Sequence, residues 1–124
     1  MTTFNDNFKI AAKTKKIIIN LYNLIENIPR KDYFLKEKVN QTSFELLECI
    51  FLANELEIKF EYYYINILKS ISLLDFLLEI LYRKKYISLK QAESQLYLLT
   101  EVRKMVNSWR KNKEINDARA NDYN

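Results

Sequence analysis

The chain has 124 residues and a net charge of +4 from 20 basic and 16 acidic side chains, with no glycine, no histidine and a single proline. This is the length of one domain with a real core, and 48% hydrophobic against 29% charged residues is a globular rather than a disordered composition. Lack of glycine removes most tight hairpin turns and disfavours a many-stranded sheet; lack of histidine removes the commonest general base and metal ligand together.

Four helix-period segments follow in order. The first is expected from about Asn7 to Ile28, where Ile18, Leu21, Ile25 and Ile28 alternate by three and four. It must stop there, because the residue before Pro29 is pushed out of the helical region. The second runs from about Asp32 to Asn54 with Leu35, Val39, Thr42, Leu46, Ile50 and Ala53 on one stripe. Thr42 is its weak member, expected near a layer edge or bonded back to its own helix.

The third is the clearest. Phe60, Tyr64, Ile67, Ile71, Leu74, Leu78 and Leu81 keep a strict 4,3 alternation, the seam of a bundle helix. The fourth opens at Ser88 with Gln91 three positions on, a capping box, and carries Leu89, Ala92, Leu96, Leu99, Val102, Val106 and Trp109. Short linkers between helices of similar length make neighbours antiparallel, so the fold expected is all-α, an up-down-up-down four-helix bundle over residues 1–113. Residues 114–124 have little to bury and read as a polar, disordered tail.

The third helix carries a surplus. Opposite its core stripe, at 100° per residue, stand Tyr62, Ile65, Leu73, Phe76 and Ile80. Such a patch left wet usually marks an interface, so these residues are the expected oligomer contact and the chain is expected to self-associate.

No cofactor, metal site or catalytic set is expected. Lone Cys49 has neither a disulfide partner nor a histidine to activate it, no secretory leader is evident, and a buried structural thiol in a reducing cytoplasm is the expectation. Histidine-dependent helical ribonucleases of the HEPN type are disfavoured for the same want of a base. The longest greasy window, Ile65 to Tyr82, is broken by Asn66, Lys69, Asp75 and Glu79, so membrane association is not expected either.

The cations are patterned instead. Lys9, Lys13 and Lys16 share a face of the first helix at i, i+4 and i+7, while Arg103 with Arg110 and Lys104 with Lys111 repeat at i, i+7 on the fourth, its neighbour. Arg30 and Lys31 are expected to approach Arg83, Lys84 and Lys85 at the opposite end. Cations at a helix C-terminus oppose the macrodipole, which accounts for Arg83 to Lys85 and for Arg110 to Lys113. The functional reading is a phosphate-binding surface without base readout, multiplied by oligomerisation.

Taken together, Ile28, Pro29, Arg30 and Lys31 entering the second helix, the leucine-rich third helix, Ser88, Leu89, Lys90 and Gln91 opening the fourth, and Glu101, Val102, Ser108 and Trp109 near its end resemble the accessory variability determinant (Avd) proteins of diversity-generating retroelements. The likeness spans nearly the whole chain to Lys113, mostly through helix-packing patterns. It implies a pentameric barrel of four-helix bundles with a basic surface. It also implies binding to the retroelement's reverse transcriptase and template RNA, in support of mutagenic retrohoming, with the polymerase supplying the chemistry. DNA would be held by the same phosphate contacts. Asp75 and Glu79 depart from the pattern, standing where some relatives carry arginines, and +4 is a thin charge for such a surface. The four-helix proteins encoded in ribosomal-RNA intervening sequences are the alternative, a structural bundle without a retroelement role. They carry a Ser-x-x-Ile-Ala-Glu-Gly-like segment where this chain reads SFELLECIFLAN, Ser43 to Asn54.

Overall fold

Pro29 sits at φ −66°, ψ 156°, extended backbone, and its carbonyl accepts from Asp32 N–H at 2.9 Å to open the next turn. Around that fixed corner the computed structural model, which describes residues 8–122, places helices α1 (Lys9–Leu24) and α2 (Tyr33–Glu55); α3 (Phe60–Arg83) and α4 (Leu89–Asp122) follow. Among the described residues there is no strand. α1 packs on α2 and α4, and α3 packs on the same two helices, so each helix touches its chain neighbours around a square and none crosses the diagonal. This is the expected antiparallel four-helix bundle. Among the described residues no helix is long and apolar enough to cross a membrane.

The α3 seam is the core. Phe60, Ile67, Ile71, Leu74, Leu78 and Leu81 are all buried, and only Tyr64 is half-exposed. The α2 stripe is buried throughout, Thr42 included, so that residue lies inside a layer and not at its edge. Polar groups taken inside are satisfied locally: the Thr14 hydroxyl donates to the Ile10 carbonyl at 2.8 Å and Ser43 to that of Asn40 at 3.0 Å. Among the described residues no buried side-chain nitrogen or oxygen lacks a partner, as the cost of orphaned polar groups requires.

Helix ends differ from expectation in instructive ways. α1 stops at Leu24, and Ile25 to Ile28 form a turn (Ile28 N–H to Ile25 O, 3.2 Å) that delivers the chain extended to the proline. Its expected start at Asn7 lies outside the described residues. The capping box at α4 is formed: Ser88 N–H donates to Gln91 Oε1 at 2.9 Å and Gln91 N–H to Ser88 Oγ at 3.0 Å. Leu89, placed on the core stripe by its spacing, is exposed; as the first residue past the cap it points outward. Ile87 and Ala92, the positions flanking the cap that form a hydrophobic staple, are buried in its stead.

α4 also does not fray at Glu114. It continues through Asp122, because no glycine or proline interrupts it and Arg110 pairs with Glu114 one turn on at 3.1 Å. Residues 114–119 are exposed, in keeping with their having little to bury.

Between α3 and α4 the chain turns without the residue such turns prefer. Lys85 has φ 63°, in the left-handed region. Its N–H donates to the Tyr82 carbonyl and that of Tyr86 to Leu81, both at 2.9 Å, a Schellman ending in which glycine is the usual occupant. A Cβ there costs about 1 kcal/mol. Lys85→Gly is therefore expected to raise the urea midpoint, stabilising the fold by about 0.5–1 kcal/mol, and Lys85→Val to lower it. A destabilised glycine variant would show that the lysine side chain holds the turn.

Candidate nucleic-acid interface

The bundle sorts the twelve nominated cations into two kinds. Arg83, Lys84, Arg103 and Arg110 are engaged by carboxylates. Arg83 meets Glu79 at 2.9 Å, Lys84 meets Asp32 at 2.9 Å, Arg103 meets Asp75 at 3.3 Å, and Arg110 meets Glu61 and Glu114, each at 3.1 Å. Lys9, Lys13, Lys16, Arg30, Lys31, Lys85, Lys104 and Lys111 form no ion pair among the described residues.

Arg103 and Arg110 correct the sequence reading. Spacing grouped both with the α1 lysines as neighbours toward one end of the bundle, yet their carboxylate partners Asp75 and Glu61 are on α3, so both guanidinium groups are engaged on the α3 side of α4. Arg110 also lies 4.9 Å from the centre of the Tyr64 ring, whose hydroxyl donates to Asn107 at 2.8 Å. Burial pushes the Asp75 carboxyl above its ordinary range against the pull of Arg103. These two arginines fasten α4 to α3.

Lys9 and Lys104 do come together, lining one groove between the start of α1 and α4 with Met105 and Trp109 beneath. The floor is an aromatic cluster: the Trp109 ring meets Phe8 edge-on at 5.6 Å and Phe60 at 4.9 Å. Trp109 thus packs at the bundle end, as its place on the stripe required. Lys9 and Lys16 are exposed and Lys13 half-buried along the same helix. This row, with Lys104 across the groove, is the largest set of uncommitted positive charge that the fold assembles from the nominated residues.

At the opposite end the proline turn and the α3–α4 turn are joined by an acid, with Lys84 the one nominated cation of its cluster in that contact. Asp32 receives the Tyr86 hydroxyl and the Lys84 ammonium, tying the proline turn to the α3–α4 turn. The Tyr86 hydrogen bond, reinforced by Lys84, holds the Asp32 carboxyl below the usual carboxylate range. Arg30, Lys31 and Lys85 remain exposed around this latch.

The nominated oligomer residues divide as well. Tyr62, Ile65 and Phe76 are 64%, 63% and 55% exposed. Leu73 and Ile80 are half-buried and pack on the bundle's own core. The exposed row on α3 runs Tyr62, Ile65, Lys69, Ser72, Phe76, Glu79, so polar residues interrupt what the sequence presented as one apolar stripe.

A second exposed apolar surface lies on the α1–α2 side. Between α1 and α2 lies a groove of about 670 Å³ walled by Ile19, Tyr22, Phe44 and Leu47, with Lys15 and Lys16 on its margin. The run Ile17 to Ile19 signals it, since three adjacent isoleucines cannot all face one core; so does the i, i+7 pair Phe44 and Phe51 off the α2 stripe. Cys49 is half-buried, not enclosed, and burial raises its thiol above the ordinary value. Compared with protein-family models the chain matches none, and among curated proteins none matches it.

Proposed function

We propose that the chain is a non-enzymatic accessory protein of a diversity-generating retroelement, holding template RNA and the element's reverse transcriptase together during mutagenic retrohoming. The observation that supports it most is the uncommitted row Lys9, Lys13 and Lys16 with Lys104 across the groove, cations that no described carboxylate neutralises on a rigid helical frame. With no histidine in the chain, its work in this reading is binding and positioning. The resemblance through Ile28 to Lys31 and the leucine-rich α3 supplies the identity of the partners.

RNA affinity measured by anisotropy from 50 to 300 mM salt tests the surface, because phosphate contacts make affinity fall steeply and log-linearly with salt. A reverse-transcriptase reading frame and paired repeats beside the gene test the partner. Flat, weak binding with no such neighbour would leave the intervening-sequence type of structural bundle, the reading that the modest charge and the ion-paired arginines favour.

In the same proposal the chain works as a homo-oligomer, a pentameric barrel, with cytoplasmic residence. Tyr62, Ile65 and Phe76 are its remaining contact residues, each worth roughly 1.5–3 kcal/mol when covered. Ile65→Glu with Phe76→Glu is expected to give a folded monomer by sedimentation. Leu73 is a poor place for that test, since a charge against the core would unfold the bundle. A wild-type chain that sediments as a monomer at micromolar concentration ends the ring.

A further inference from the structure

The α1–α2 groove has a chemistry of its own. Its walls are apolar and its exposed rings are Tyr22 on α1 and Phe44 on α2, 61% and 46% accessible. Its charged lining residues are Lys15 and Lys16, and no carboxylate lines it, although Glu45 and Glu48 are exposed elsewhere on α2. Further along α2 the Lys15 ammonium stands 6.0 Å from the centre of the exposed Phe51 ring. Lys16 belongs both to this margin and to the row begun by Lys9 and Lys13, so the groove continues the basic surface without a break in sign.

We propose that this groove receives unpaired bases of a single nucleic-acid strand, stacked on Tyr22 and Phe44, while Lys15 and Lys16 hold its phosphates. The proposal rests on the nucleic-acid reading above and adds to it a substrate class, single-stranded over duplex. A single strand is charged along one edge and presents flat apolar faces along the other, which matches a groove with cations on its α1 margin and a ring on each wall. Duplex bases are already stacked on one another and cannot enter. An amphipathic protein helix, the other occupant such a groove could take, needs no exposed aromatic faces and gains nothing from continuity with the lysine row.

The test compares three probes at fixed low salt: a 12-nucleotide oligouridylate, an abasic strand of the same length, and a duplex RNA of the same length. Wild type is expected to bind the base-bearing strand at least about tenfold more tightly than either of the others. Tyr22→Leu with Phe44→Leu keeps the walls apolar and, at exposed positions, keeps the fold, checked by circular dichroism; it should bring the oligouridylate down to the abasic value. Lys16→Ala should instead weaken all three and reduce the salt slope by about 1. Retention of the base preference by the double leucine variant, or no preference in wild type while the strands still bind, overturns the groove and leaves the basic surface intact. So does a double variant that loses polymerase capture with its RNA isotherms unchanged, which would give the groove to a protein helix. If wild type binds none of the three probes, the nucleic-acid reading fails first and the groove falls with it.

Discussion

Reversing Lys9, Lys13 and Lys16 to glutamate is expected to weaken single-stranded RNA binding by about 100-fold or more near 100 mM salt, since the change removes three phosphate contacts and sets like charge against the backbone. The slope of log affinity against log salt should become shallower by about 2 for a single strand. Stability should not fall. Lys9 and Lys16 are exposed, none of the three is ion-paired among the described residues, and a carboxylate at Lys9, the first residue of α1, favourably opposes the helix dipole. Arg103→Glu is the contrasting control: it leaves Asp75 facing a like charge, so it should loosen α4 from α3 and lower the melting temperature while changing RNA affinity little. If the triple variant binds as wild type does and Arg103→Glu abolishes binding in a folded protein, the phosphate surface lies on the α3–α4 side and not along α1.

That contrast shows where sequence reasoning reached and where it stopped. Periodicity located α3 and α2 almost residue by residue, because a buried stripe leaves a mark at every third or fourth position whatever its neighbours are. Direction around the bundle leaves no such mark. Arg103 and Arg110 were correctly put on one helix face, but whether that face looks to α1 or α3 depends on Asp75 and Glu61, which are far away in the chain. Leu73 and Ile80 failed for a related reason. A wheel drawn about a single stripe treats the core as a line, whereas α3 packs on both α2 and α4, so its apolar arc is wide enough to take in Leu77 at 5% exposure and to half-cover its flanks. The α1–α2 groove is a property of two helices together: Ile17 to Ile19 and the Phe44, Phe51 pair mark surplus apolar residues on each helix, but neither helix alone says that they meet. The helical reach of α4 past Glu114 was missed because lack of burial was read as lack of helix, and a chain without breakers separates the two.

Leu74→Ala is expected to cost about 2–5 kcal/mol, the largest stability loss from any single truncation argued here. Leu74 has no exposed surface and sits midway along α3, so the methyl groups removed leave a cavity that two neighbouring helices cannot collapse into without breaking their own register. For a domain of this size the melting temperature should drop by roughly 10–20 °C, at any protein concentration. Phe76, two residues on, is 55% exposed, and its truncation to alanine in an isolated bundle should change stability by no more than about 0.5 kcal/mol. If α3 is held by a neighbouring subunit, Phe76→Ala acquires a cost that grows with protein concentration as the wild type gains stability from assembly and the variant does not. The pair therefore separates core from contact on one helix. A concentration-independent loss at Phe76 equal to that at Leu74 would place this ring inside the bundle. A loss under 1 kcal/mol at Leu74 would mean that the seam running from Phe60 to Leu81 does not hold the four helices together.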